Sequence, residues 1–175
     1  TTTSTGAFRT YRGNVIDSLY TSVGLSANIA GIYSSTGLTV TMSKNKIFDL
    51  YPGQSTGTST AKGIQITSGT SVSVENNLIG LDVSAGPAVL TNVAGLVGIE
   101  ISGGTTQNIR YNTIRLAGNG SGTGFGSSGI SITSTTPTVE LRNNLVLNLA
   151  GAGGGTAAAS AVALRRSTAA LTGYA

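Results

Sequence analysis

The sequence predicts an all-β chain, a right-handed parallel β-helix (solenoid) of about five coils with three short strands each and a period of 31–35 residues. Three observations predict it. An asparagine phrase returns as Gly13-Asn14-Val15-Ile16, Lys44-Asn45-Lys46-Ile47, Asn76-Asn77-Leu78-Ile79, Tyr111-Asn112-Thr113-Ile114 and Asn143-Asn144-Leu145-Val146, in steps of 31, 32, 35 and 32 residues. A fixed period of this size marks a stack of like units. A second phrase keeps step with the first: Gly31-Ile32, Gly63-Ile64, Gly98-Ile99, Gly129-Ile130 and then Ala161-Val162. Within a unit, apolar residues alternate, as in Ile64-Gln65-Ile66, Val72-Ser73-Val74 and Ile79-Gly80-Leu81. That is the period-2 pattern of half-buried strands.

Taken in order, residues 1–30 read as a degenerate first coil, threonine-rich at the start and then carrying Phe8, Arg9, Tyr11 and Arg12. Residues 31–164 are regular coils, and 165–175 begin a truncated one, so that 1–175 form a single segment. In each regular coil the Gly-Ile strand comes first. Small polar residues follow, such as Ser35-Thr36-Gly37 and Ser68-Gly69-Thr70-Ser71, then a second strand. The asparagine separates the second strand from the third, and its tolerance of the left-handed conformation suits the sharp bend needed there. Longer Gly/Ala/Ser/Thr loops at 51–62, 82–97, 117–128 and 150–160 close the coils and absorb part of the variation in period. The remaining slip is a one-residue insertion around Pro137. Stacked coils would give interior columns: Ile32, Ile64, Ile99, Ile130 and Val162; Ser34, Ile66, Ile101, Ile132 and Leu164; Met42, Val74, Ile109 and Leu141; Ile47, Ile79, Ile114 and Val146. The outward row of the first strand would read Tyr33, Gln65, Glu100, Ser131 and Ala163.

Composition agrees with a solenoid. Only 9% of residues are charged and glycine contributes 26 of 175, yet aliphatic residues recur too regularly for a disordered tail. The net charge is +4, but the basic residues are scattered from Arg9 to Arg166, so no stripe for nucleic acid is expected. Without cysteine or histidine the chain has no disulfide framework, no thiolate or imidazole zinc site and no Ser-His triad. The G-x-S-x-G match at 53–57 and the G-x-G-x-x-G match at 124–129 therefore read as products of composition, the second because it leads into a strand instead of a helix. No cofactor and no membrane span are expected.

Gly-Ile-x-Ile near the start of a coil and V-x-V-x-N-N-x-I later in it, as in Gly63 to Ile79, resemble the right-handed parallel β-helix repeats of the pectate-lyase-like superfamily. The superfamily contains lyases, hydrolases, adhesins and plain stalks. The charge-poor Ser/Thr/Gly coils with long loops look most like those of long secreted surface proteins of Gram-negative bacteria, including substrates of type IX secretion. The resemblance implies an extracellular or cell-surface location. It also implies an internal amide ladder of Asn45, Asn77, Asn112 and Asn144, each side chain bonding the coils above and below.

Three groups of residues are weighed for function. Asp17, Asp49 and Asp82 lie 32 and 33 residues apart, just after the third strand, as carboxylates do in β-helix pectin hydrolases and lyases. Their offsets from the coil asparagine are 3, 4 and 5, so alternation should aim them differently. Ser43, Glu75, Arg110 and Arg142 form an outward column, in which Glu75 and Arg110 are expected to make a surface ion pair. Arg110, Arg142 and the neighbouring Tyr111 make a candidate carbohydrate-binding strip. The expectation is a non-enzymatic structural or adhesive module of a large secreted bacterial surface protein. Its partners would be polysaccharide or cell-surface components, and flanking coils of the same polypeptide or end-to-end neighbours. The alternatives are a polysaccharide lyase or hydrolase and a carbohydrate-binding module.

Overall fold

A computed structural model of the chain describes residues 8–21, 27–52, 59–84, 90–92, 94–118, 120, 124–134, 137–151 and 160–166. The first rung holds β1 (Phe8–Arg12), β2 (Val15–Ile16) and β3 (Leu19–Tyr20). The next holds β4 (Asn28–Ser34), β5 (Thr39–Ser43), β6 (Lys46–Phe48) and β7 (Leu50–Tyr51). Then come β8 (Thr60–Ile66), β9 (Ser71–Glu75) and β10 (Leu78–Asp82), followed by β11 (Leu96–Ile101), β12 (Thr106–Arg110) and β13 (Thr113–Ala117). The last strands are β14 (Ser127–Ile132), β15 (Thr138–Arg142), β16 (Leu145–Asn148) and β17 (Ala161–Arg166). No helix occurs among the described residues.

Every pairing is parallel and joins a strand to its counterpart one coil away. Three five-stranded sheets result, β4-β8-β11-β14-β17, β1-β5-β9-β12-β15 and β2-β6-β10-β13-β16, with β3 and β7 as a small fourth sheet. The chain is thus a parallel β-solenoid of about four turns, with strands about 4.8 Å apart along the axis. Sequence distance and spatial distance are decoupled here: residues some thirty positions apart are neighbours because the hydrophobic pattern repeats at that interval and only there.

The core is the inside of this tube. Ile32, Ile64, Ile99 and Ile130 pair in register, as do Ser34, Ile66, Ile101 and Ile132. At the last rung the expected register is wrong by two residues. Leu164, not Val162, pairs with Ile130, and Arg166 pairs with Ile132. The cause is that Ala163 stands where the earlier coils have glycine, which hides the true repeat. Correspondingly Arg165, not Ala163, continues the row of Tyr33, Gln65, Glu100 and Ser131. That row is also less outward than alternation implies, since Glu100 and Ser131 are buried. The extra residue near Pro137 is present between β14 and β15: Ile130 to Thr138 spans one residue more than Ile99 to Thr106.

Two backbone devices keep the repeat. A β-carbon on Gly31, Gly63 or Gly98 would lie 2.5–2.6 Å from Cγ2 of Ile47, Ile79 or Ile114 and 2.5–2.8 Å from the glycine carbonyl of the next coil. Glycine is there because the first strand and the isoleucine of the third strand touch across the tube, with no room for a methyl group. The second device is the bend between second and third strands. The left-handed residue is not the ladder asparagine, as the sequence suggested, but the one before it: Gly13 (φ 68), Lys44 (56), Asn76 (54), Tyr111 (57) and Asn143 (51). A left-handed non-glycine residue costs about 1–2 kcal/mol, so something at the bend must repay four of them. The wide loops are also not purely exposed: Leu90, Leu96 and Phe125 are fully buried, within or beside the segments 82–97 and 117–128.

Gly98→Ala tests the close approach. The new methyl would collide with backbone and with a branched side chain that has no free volume to enter, so urea unfolding should show a loss of about 2–4 kcal/mol.

Candidate functional site

Three clusters of polar side chains stand out, and they are best taken from the inside outwards. The asparagines of the bends lie one above another. Asn77 Oδ1 accepts from the backbone N–H (3.0 Å) and the Nδ2 (2.9 Å) of Asn45, while Asn112 Oδ1 accepts from the same two groups of Asn77 at 3.0 and 2.9 Å. Asn144 Oδ1 does the same for Asn112, and Asn45 Oδ1 for Asn14, which extends the column one rung beyond the four expected members. The second Nδ2 hydrogen goes to a backbone carbonyl of the preceding coil: Tyr11, Met42, Val74 and Ile109 in turn. Each interior amide therefore makes four hydrogen bonds, the most its geometry allows apart from bifurcation. This satisfies the bend backbone in a buried place and offsets the left-handed residue beside it.

Outside the bend, the structure brings Arg110 and Arg142 together on adjacent rungs, β12 beside β15. Tyr111 follows on the left-handed bend and is half exposed. The ion pair expected between Glu75 and Arg110 is not the one that forms. Those residues are in register, but Arg110 Nη2 pairs with Glu140, which is also held by Arg142 Nε, while Glu75 accepts a 2.7 Å bond from Ser73. Glu140 wins because both arginines reach it: it is two residues before Arg142 on the same strand and in register with Asn108, two residues before Arg110. The hydrogen bond from Arg110 holds the Glu140 carboxyl below the usual carboxylate range. Both guanidinium groups of the candidate strip are thus engaged by a carboxylate of their own sheet.

The three aspartates do not form one column. Asp49 is itself left-handed (φ 49) and Ser18 (φ 54), not Asp17, is the left-handed residue of the rung below. Asp17 accepts a 3.0 Å bond from Ser18 Oγ; Asp82 accepts from the Ser84 N–H at 3.0 Å and faces Arg115 Nη1 at 3.7 Å. Even so, the charges of all three act on one phenol. The Tyr51 hydroxyl is held above its ordinary pKa first by burial, then by the charge and hydrogen bonding of Asp49, and further by the charges of Asp82 and Asp17. Tyr51 pairs in register with Tyr20 one rung away. Among the described residues no group of three or more acidic side chains is placed to hold a metal ion.

Sequence reasoning passed over Tyr20 and Tyr51, although Leu19-Tyr20 and Leu50-Tyr51 repeat at the same 31-residue step as Asn14 and Asn45. It also passed over the ion pair of Lys62 with Glu100, to which Gln65 Nε2 adds a 2.8 Å bond. There the signal was the row Gln65, Glu100 itself, read as solvated when it is covered. The G-x-G-x-x-G segment leads into β14, a strand, while the G-x-S-x-G segment at 53–57 lies outside the described residues.

Two outcomes follow from these contacts. Asn77→Ala removes four hydrogen bonds and strands the N–H and an Nδ2 hydrogen of Asn45 in a buried site, so denaturant unfolding should show a loss of about 3 kcal/mol or more; Asn14→Ala, at the exposed end of the column, should cost about 1 kcal/mol. The Asp82 carboxyl is lowered by its Ser84 bonds and by Arg115, so its contribution is present above the usual aspartate range, about 3.9, and is lost as pH falls through the lower folded value. Stability measured from pH 7 down to 2 should therefore show wild type and Asp82→Asn converging at the acid end. Comparison of the chain with models of known protein families, with curated proteins and with solved structures finds no match.

Proposed function

We propose that the chain is a non-enzymatic structural or adhesive β-solenoid module of a large secreted bacterial surface protein. The observation that carries this reading is the continuity of the interior. Aliphatic rows and the bonded amide recur from rung to rung, and ion pairs tie neighbouring rungs, a covered one of Lys62 with Glu100 and more exposed ones of Arg110 with Glu140 and Arg115 with Asp82. A rod whose length is set by the number of coils suits a spacer that carries contact surfaces away from a cell. The low charge and the Ser/Thr/Gly-rich coils, which resemble those of bacterial surface proteins, support the secreted location.

A polysaccharide-processing enzyme is the rival from another class, and the charges of Asp17, Asp49 and Asp82 acting on Tyr51 are what favour it. Against it, Asp82 is engaged by Ser84 and Arg115, and Asp17 by the Ser18 hydroxyl. Incubation with polygalacturonate and other acidic polysaccharides, with and without calcium, should release no unsaturated or reducing uronate. Turnover that is abolished by Asp49→Asn would end the structural reading.

A further inference from the structure

The strongest departure from the repeat lies at one corner of the first two rungs. In the later rungs the third strand runs straight through this corner, as Leu78–Asp82 and Thr113–Ala117 do. In the first two it is broken by a second left-handed residue, Ser18 and Asp49, and resumes as the separate two-stranded sheet of β3 and β7. Stability asks each rung to copy its neighbour, so a bend made twice and then abandoned has another reason. Its effect is to turn Leu50 into the core and to set Tyr20 and Tyr51 side by side on the outside, Tyr20 being 55% exposed.

From this geometry we infer that Tyr20 and Tyr51, with Asp17 three residues before the first and Asp49 two residues before the second, and with Asp82 and its partner Arg115 at the same end of the third strand on the rungs beyond, form a binding subsite for a neutral pyranose unit of a polysaccharide. The inference rests on the adhesive reading above and names its ligand class. Each part of the corner has a task. The paired phenols supply an apolar platform with a polar rim, the combination that suits a sugar ring, which has C–H faces and hydroxyl edges. The carboxylates are acceptors for sugar hydroxyls, and Arg115, half exposed beside Asp82, supplies donors. Three carboxylates against one guanidinium leave the corner negative, which disfavours uronates and other acidic sugars. The strip of Arg110, Tyr111 and Arg142 differs in that its arginines already share Glu140.

The test is affinity electrophoresis of the full chain through gels containing a neutral β-glucan, a neutral mannan or polygalacturonate. Retardation is expected in at least one neutral gel, weakened about tenfold by Tyr20→Ala and by Tyr51→Ala, and unchanged by Tyr33→Ala, an exposed tyrosine on the β4 sheet. Thermal melts of the two tyrosine variants should match wild type at Tyr20, an exposed position; a Tyr51→Phe variant, which keeps the ring, should retain most of the retardation if Tyr51→Ala proves unstable. Retardation that survives both tyrosine substitutions overturns this subsite while leaving an adhesive role intact. Retardation only by polygalacturonate overturns the neutral-sugar assignment. No retardation in any gel overturns the subsite and leaves a plain spacer.

Discussion

Everything in this molecule depends on the hydrogen-bonded column of asparagine side chains at the bend. A coil of thirty-odd residues has to turn over a few positions while staying next to an apolar interior, and although the neighbouring peptide groups of the bend bond the backbone of adjacent coils, the N–H of the asparagine itself goes to a side-chain oxygen instead. The side-chain amide supplies the missing partners in both directions at once: Asn77 accepts from the coil before and donates to the coil after, while its second donor fixes the carbonyl of Met42. Remove the amide and the bend has both an unfavourable dihedral, at Asn76, and unpaired polar groups. With it in place, the isoleucines on either side are held in rows, and the hydrophobic gain of each row follows from the alignment.

The rows in turn dictate where side chains are forbidden. Ile79 reaches far enough across the tube to fill the place where a β-carbon on Gly63 would lie, and Ile114 does the same at Gly98. Asparagine and glycine thus answer the same demand, a narrow tube with regular spacing, one by adding bonds and the other by withholding a side chain. Gln107 shows the tolerance of the arrangement. It is fully buried in register with Val72 and Val139, and gives its Nε2 hydrogen to the Gly103 carbonyl at the adjacent corner at 3.2 Å.

Much of this was legible in the sequence because buried rows must repeat. The asparagine and Gly-Ile phrases are the parts of the coil in which one residue type satisfies the geometry, and so they marked the period and the all-β class directly. Where several residue types serve equally, the sequence was mute. The left-handed position is filled by Gly13, Lys44, Tyr111 and the two asparagines Asn76 and Asn143, so no one residue type marks it, and the invariant asparagine next door drew the assignment. Ala163 in place of glycine moved the last rung by two residues. The pairing of Arg110 with Glu140 in preference to Glu75 is decided by side-chain reach across the sheet surface, and the corner of Tyr20 and Tyr51 is made by a bend that occurs on two rungs and leaves too few copies to show as a pattern.

The amide column also has a direction. In each of its four steps the donor groups belong to the earlier coil and the acceptor oxygen to the later one. The bond dipoles therefore add head to tail along the axis, as peptide dipoles do in a helix, and polarise one another. Such a column has chemically unlike ends, lone pairs at one and N–H groups at the other. A coil that extends the column does so only by entering in the same sense, which makes the rod a one-way structure.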